Sequence, residues 1–201
     1  MTPIEVLMNL PTIETKRLII RKLVLSDLED LFECSSNPEI SKFTLWDSHK
    51  TINDSKDFLV KCIQQYSKGH PPVFGIELKD ELKLIGTIGF GSIDFESKRA
   101  EFGYALHVGY WKQNITTEAS LAILQFGFRT LELERIFATC FTDNIGSYRV
   151  MEKVGMTYEG ILRSYHSKNG QRIDARIYAI TRSDWFQNRQ VSIDSISITF
   201  S

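Results

Sequence analysis

The stretch Thr116–Leu131 constrains the fold more than any other part of this chain. At 3.6 residues per turn, Ala119, Ala122, Ile123 and Phe126 form one apolar stripe, and Leu121, Leu124 and Phe128 form a second. A helix apolar over so much of its surface must be buried, and strand-like runs on both sides of it supply the sheet. Val73–Lys79, Leu82–Phe90 and Arg99–His107 read as strands linked by Asp80-Glu81 and by Gly91–Lys98, an antiparallel meander. Arg17–Leu25 reads as an earlier strand and Arg135–Phe141 as a later one. Thr157–Ser167 and Gln171–Thr181 flank Asn169-Gly170, a strong hairpin signal. Three further helices fit: one capped at Ser26-Asp27 and running to about Cys34, Asn53–Ser67, and Asn144–Val154, which Gly155 stops. The order predicts an α+β fold, a central mixed, mostly antiparallel seven-stranded sheet flanked by helices. Residues 1–14 read as a leader, 15–187 as the domain and 188–201 as a tail. Within that tail, Ser192–Phe200 alternates like an edge strand.

Composition narrows the classes. A chain of 201 residues can bury one sizeable core and is short for two full domains. Its 42% apolar and 24% charged residues argue against disorder. A formal net charge of −1 gives no electrostatic case for nucleic acid or an anionic membrane surface. No apolar run approaches the ~20 residues of a membrane helix. Met1–Leu10 carries an acid and no basic segment, unlike a signal peptide. Cys34, Cys62 and Cys140 are far apart and outside C-x-x-C spacing. They read as free thiols in a reducing cytosol rather than as a metal site or a disulfide framework. A cytoplasmic location is expected.

The most informative segment is Glu101–Ala119, EFGYALHVGYWKQNITTEA, where a strand runs through a turn into the buried helix. The free N–H groups and positive dipole at such a helix start can hold a pyrophosphate. Here the chain resembles the Gcn5-related N-acetyltransferases (GNAT), and within them the ribosomal-protein N-terminal (Rim-type) branch, which typically reads E-x-G-Y-x-L-x-x-x-Y-W-G-K-G-x-A-T-E-A. Asp143–Met156, DNIGSYRVMEKVGM, is similar to the branch's D-N-x-x-S-x-R-V-x-E-K-x-G-F. Thr157–Tyr178 adds E-G-x-L-R and K-N-G, so the resemblance spans roughly residues 14–186. It implies an acyl-CoA N-acyltransferase fold and acetyl transfer from acetyl-CoA to a primary amine, with no metal. It also implies cofactor contacts at Leu106, Val108, Lys112, Gln113, Asn114, Ile115, Thr116, Thr117 and Asn144.

One departure stands out. The family's pyrophosphate loop wants Gly where this chain has Lys112 and Asn114, and Gly or Ala at Thr116. Asn is among the best non-Gly residues at positive φ. Lys112 adds a cation that can meet phosphate, and Thr116 adds bulk and a hydroxyl. Two readings follow: a loop that still binds CoA, or a non-catalytic CoA-binding or regulatory module whose loop is degraded. A purely structural protein is a third, opposed by Glu101, Asn144 and Ser147. A second glycine cluster, Gly86, Gly89 and Gly91, precedes no helix and reads as a strand bulge or close backbone approach.

Amine acetylation needs a neutral amine and a partner for the departing thiolate. Glu101 shares a strand face with Gly103, Ala105 and His107. It reads either as a carboxylate on a cleft floor or as part of a solvated face. The resemblance favours the first, since the family often places a water-linked base on this strand. Ser147, in the first turn of its helix, is the candidate acid, with Tyr148 turned about 100° away. Asn144 reads as a helix cap, and the resemblance makes it a cofactor contact as well. At the spacing where some members of the branch carry a Glu base, this chain has His166, whose pKa of ~6.5 suits an α-amine at neutral pH. It reads equally as a surface hairpin histidine. Phe43, Trp46 and Tyr104 are candidate acceptor-groove aromatics, with core packing as the alternative. The acceptor is a peptide N-terminus or a small-molecule amine, and a homodimer is a possible assembly.

Overall fold

The computed structural model describes residues 1–187 and 196–200. The buried helix comprises α5, Ile115–Gln125, continued by a π turn over Phe126–Thr130. Leu131 N–H reaches back five residues to the Phe126 carbonyl at 3.1 Å. The extra residue matters for packing: a Cβ at Gly127 would lie 2.6 Å from Ile136 Cδ1, so glycine lets the helix end settle on the sheet. Phe126 meets the Phe74 ring edge-on at 5.8 Å and stacks on Phe90 at 6.4 Å. These contacts place α5 on the sheet face that carries Phe74 and Phe90.

The remaining α-helices among the described residues are α1 (Pro3–Met8), α2 (Leu28–Ser35), α3 (Pro38–Ser41), α4 (Ile52–Tyr66), α6 (Ile145–Lys153) and α7 (Arg182–Gln187). Asn37-Pro38 ends α2 and opens α3, with Asn37 Oδ1 accepting the Glu39 N–H at 2.9 Å. Strand β2 (Leu18–Lys22) stops short of Leu25, because the Asp27 carboxylate takes the Val24 N–H at 2.8 Å and turns the chain toward α2. Arg21 closes this corner by pairing with both Asp27 and Glu77.

Among the described residues the sheet has nine strands, not the seven expected. The additional pair is β1 (Thr12–Glu14) and β9 (Ser197–Thr199). The others are β3 (Val73–Leu78), β4 (Lys83–Asp94), β5 (Arg99–Leu106), β6 (Arg135–Phe141), β7 (Thr157–Lys168) and β8 (Gln171–Thr181). Their order is β7-β8-β6-β5-β4-β3-β2-β1-β9, with β5–β6 the single parallel pair among the described residues. Ile13 of β1 is fully buried, opposite Ile20 on one side and Ile198 on the other. The stretch read as a leader therefore contributes a helix, with Val6 and Leu7 buried, and a strand. Of the Ser192–Phe200 alternation, residues 192–195 lie outside the described residues, and the remainder supplies β9.

The glycines of β4 serve close approach. A Cβ at Gly86 would lie 2.3 Å from the Ala105 carbonyl oxygen, and the ladder shifts register between Phe90 and Ser92. Among the described residues no helix is long and apolar enough to cross a membrane.

Candidate active site

Strands β5 and β6 pair in parallel at only three positions: Arg99 with Arg135, Ala100 with Ile136 and Glu101 with Phe137. Beyond Glu101 the two edges separate. β5 stays bonded to β4 as far as Leu106, and β6 to β8 as far as Phe141. The separation opens a slot between two main-chain edges, floored by neither. Strand alternation sends the side chains that border it to opposite faces. Phe102 pairs across the ladder with Phe90, so Phe102 and Tyr104 lie on the α5 face, while Glu101 and Gly103 lie on the other.

On the α5 face, the Tyr104 hydroxyl lies 2.9 Å from Ser147 Oγ and 3.0 Å from the Ser147 carbonyl oxygen. Burial raises the Tyr104 pKa, so the phenol stays protonated. Asn144 Oδ1 accepts the Ser147 N–H at 3.1 Å, which caps α6 and fixes the position of that serine. Burial pushes the thiol of Cys140 on β6 up to about 11, with Arg176 and Ser147 opposing it only in part. It is therefore a neutral thiol at physiological pH. Tyr148 turns away, stacked on Tyr178 at 6.5 Å with the Arg176 guanidinium over its ring.

On the opposite face, Thr139 Oγ1 lies 2.9 Å from Glu101 Oε1 and 3.2 Å from His166 Nε2. A carboxylate can only accept, so Thr139 donates to Glu101. The threonine has a single hydroxyl proton, so His166 must donate Nε2–H to Thr139 Oγ1. That assignment leaves Nδ1 as the imidazole's open lone pair. Burial lowers the His166 pKa, and the Glu101 charge opposes this only in part. His166 pairs with Ile173, as the Asn169-Gly170 turn requires, although β7 bulges between Leu162 and His166. Thr139 was not among the sequence candidates. Its place on a strand between Ala138 and Cys140 carries no signal until β5 and β6 are aligned.

Phe43 and Trp46 lie in the segment after α3, on the His166 side of the hairpin. Lys168, two residues past His166, donates Nζ to the carbonyls of Ser41, Thr44 and Trp46 and so ties this segment to β7. Tyr104 does not join them, because it sits across the sheet with Ser147.

The loop from β5 to α5 keeps the backbone that glycines would give. Lys112 and Asn114 sit at φ +62° and +59°. A left-handed residue other than glycine costs about 1–2 kcal/mol. The loop is held from outside: Arg17 Nη1 donates to the Gln113 carbonyl at 3.0 Å, and Lys153 Nζ to Asn114 Oδ1 at 2.8 Å. Arg17 is itself paired with Glu118 of α5 at 2.7 Å. Burial works to raise the Glu118 pKa, but its bonds to Thr15 and Arg17 outweigh burial and lower it. The side chains of Leu106 and Ile115 are buried, so the second can offer a ligand only its backbone amide. Lys112, Gln113 and Asn114 are exposed, and Val108, Thr116 and Thr117 half-buried, around the start of α5. Lys112→Gly relieves the backbone strain, and thermal unfolding is expected to show a gain of about 1 kcal/mol, a Tm rise of about 2–4 °C. Asn114→Gly gains less, since Asn tolerates this region and its side chain holds Lys153.

These features have counterparts among known proteins. Residues 17–157 match the family model of the acetyltransferase (GNAT) domain. The chain is 34% identical over 172 residues to the uncharacterized N-acetyltransferase YoaA of Bacillus subtilis (strain 168), covering 86% of this chain and 97% of that relative. It resembles a GNAT-family acetyltransferase structure from Bacillus anthracis at TM-score 0.77 and 32% identity, over 86% of this chain and 99% of that one. RimL, a ribosomal L7/L12 alpha-N-protein acetyltransferase solved in complex with coenzyme A, shares the fold at TM-score 0.75 and 20% identity, over 83% of this chain and 95% of that one. With a split parallel pair, a loop leading into a buried helix and a family match across most of its length, this chain belongs to the GNAT acetyltransferases.

Proposed function

We propose that this acetyltransferase moves the acetyl group of acetyl-CoA onto an α-amine, carried by a peptide N-terminus or a small molecule, in the slot between β5 and β6. One observation carries the reading. A hydrogen-bonded base, Glu101–Thr139–His166, and a hydroxyl pair, Ser147–Tyr104, occupy opposite faces of the same slot. Acyl transfer can use that separation, with the amine attacking the thioester carbon from the side of the base while the sulfur departs beside the hydroxyl pair.

The chain's residues divide the proton work. His166 Nδ1 takes a proton from the attacking nitrogen, and Thr139 passes the stabilising influence of Glu101 to the imidazolium that results. Ser147 Oγ, with Tyr104 behind it, donates a hydrogen bond to the departing sulfur near the start of α6. The proton taken by His166 returns to solvent and the thiolate takes one from solvent, so overall the N–H and C–S bonds break, the C–N and S–H bonds form, and His166 and Ser147 end as they began. The amides at the start of α5 and the Lys112 ammonium hold the pyrophosphate, aided by a loop backbone already in the required conformation.

The strength of the base favours an α-amine. With a pKa of ~8, roughly a tenth of an α-amine is neutral at pH 7, against about one in two thousand for lysine at ~10.4. A histidine of lowered pKa can serve the first and is weak for the second. The test is thiol release from acetyl-CoA with a panel of peptides and small amines. Turnover is expected with free α-amines and not with N-blocked peptides whose only amine is lysine. No thiol release from any acceptor, together with no heat on titration of acetyl-CoA, would overturn the reading in favour of a non-catalytic module.

A further inference from the structure

Lys168 opens the K-N-G turn of the β7–β8 hairpin, yet its side chain is only 15% exposed. A lysine leaves water at low cost only where its charge is met. The ammonium has three protons and meets three carbonyl oxygens, those of Ser41, Thr44 at 2.9 Å and Trp46 at 3.5 Å. The Asp47 carboxylate stands off at 4.0 Å. All three carbonyls come from one short stretch. Ser41 ends α3, where helix carbonyls lack intrahelical donors. Thr44 Oγ1 curls the next residues by reaching the Ser41 and Trp46 carbonyls at 3.1 and 2.9 Å, which gathers the oxygens on one side. Oxygens gathered in this way repel one another, and a cation among them offsets that repulsion.

The stretch that Lys168 holds carries Phe43 and Trp46. Its far end is fixed to the helices. The His49 N–H bonds the Ser35 carbonyl of α2 at 3.0 Å, and His49 Nδ1 lies 2.6 Å from Ser55 Oγ of α4. Trp46 rests on the His49 ring at 5.8 Å. On the sheet side, Lys168 makes the only hydrogen bonds between residues 41–47 and β7 among the described residues. Lys168 and His166 are two positions apart in an unbroken stretch of the β7–β8 ladder, so their side chains leave the same face.

Building on the reading of His166 as the base, we propose that Lys168 is a positioning residue for the acceptor. It holds residues 41–47, with Phe43 and Trp46, as a fixed wall beside the place of the amine. Its protons are all used by the wall, so it takes no part in the chemistry. Without it the acceptor must order the wall as it binds, and that cost falls on the acceptor's KM. An acceptor once bound meets the same base, so kcat is kept.

The test measures thiol release from acetyl-CoA by the full chain, with amide-capped tri-alanine or the fastest acceptor of the panel. Lys168→Met keeps the length of the stem and removes the ammonium. It is expected to raise the acceptor KM about fivefold or more, with kcat and the KM for acetyl-CoA within about twofold. A variant that merely folds less well loses active enzyme, which lowers the apparent kcat and leaves KM as it was. Lys168→Arg is expected to recover part of the acceptor KM, since it keeps a cation with several donors. Lys42 and Lys50 are exposed and flank most of the wall, so trypsin is expected to cut after them several times faster in Lys168→Met. An acceptor KM unchanged by Lys168→Met overturns the inference. A raised KM without faster cleavage at these two lysines overturns it as well, because the wall has not been released. No thiol release by the natural chain with any acceptor overturns the acetylation reading and this inference with it.

Discussion

His166→Gln is expected to lower kcat/KM for an α-amine acceptor by about 10²–10³-fold while leaving the KM for acetyl-CoA close to that of the natural chain. Glutamine fills similar space and can still bond Thr139 Oγ1, so the variant removes the basic lone pair and little else. The pH profile separates a base from a merely structural histidine. Only the neutral amine attacks, so kcat/KM falls about tenfold per pH unit below the amine's pKa of ~8. Once pH falls below the His166 pKa as well, both groups must lose a proton, and the slope doubles. Burial places the His166 value below the ordinary ~6.5, since the opposing pull of Glu101 is the smaller effect. The second break therefore lies below pH ~6.5 and disappears in His166→Gln. Glu101→Gln keeps an acceptor for the Thr139 hydroxyl but removes the charge, so it is expected to move the break further toward acid. A break that survives His166→Gln would transfer the base role to another group.

The parts of this site that the sequence made legible are those carried by local chemistry. Asn169-Gly170 dictates a two-residue turn, and the turn dictates that His166 faces Ile173. The bulge at Ser164, with φ +54°, lies farther from the turn and does not disturb that pairing. Asn114 was legible for the same reason, since its tolerance of positive φ is a property of the residue itself. What escaped is what depends on register between strands distant in sequence. Thr139 links Glu101 to His166 only because β6 lies between β5 and β8, a fact no window of the chain contains. Tyr104 was grouped with Phe43 and Trp46 as an aromatic near the slot, yet strand alternation puts it across the sheet, where Ser147 is its partner. Strand β1 spans three residues, too few to show a period of two, and is held by the burial of Ile13, whereas β9 falls within the Ser192–Phe200 alternation that the sequence did show.

The same dependence on register separates two glycines that look alike in the sequence. Gly89 and Gly103 are cross-strand partners in the centre of the sheet, on the face that carries Glu101. A Cβ at Gly89 would lie 2.0 Å from the Pro72 carbonyl oxygen. That oxygen cannot withdraw freely, because it accepts the Phe90 N–H at 3.0 Å. Gly89→Ala must therefore break that bond or shift β3 from β4, and it is expected to cost about 3 kcal/mol or more. In thermal unfolding this is a Tm drop of about 6–12 °C for a chain of this size. A Cβ at Gly103 meets nothing within 4 Å. Gly103→Val is thus expected to keep stability within about 0.5–1 kcal/mol. It adds branched bulk beside Glu101 at the mouth of the slot and is expected to lower kcat/KM by about tenfold or more through misplacement of the acceptor. The glycine that meets backbone supports the sheet, while the one that meets open space keeps the acceptor's approach clear. If Gly103→Val retained full activity, the acceptor would have to approach from elsewhere than the Glu101 face.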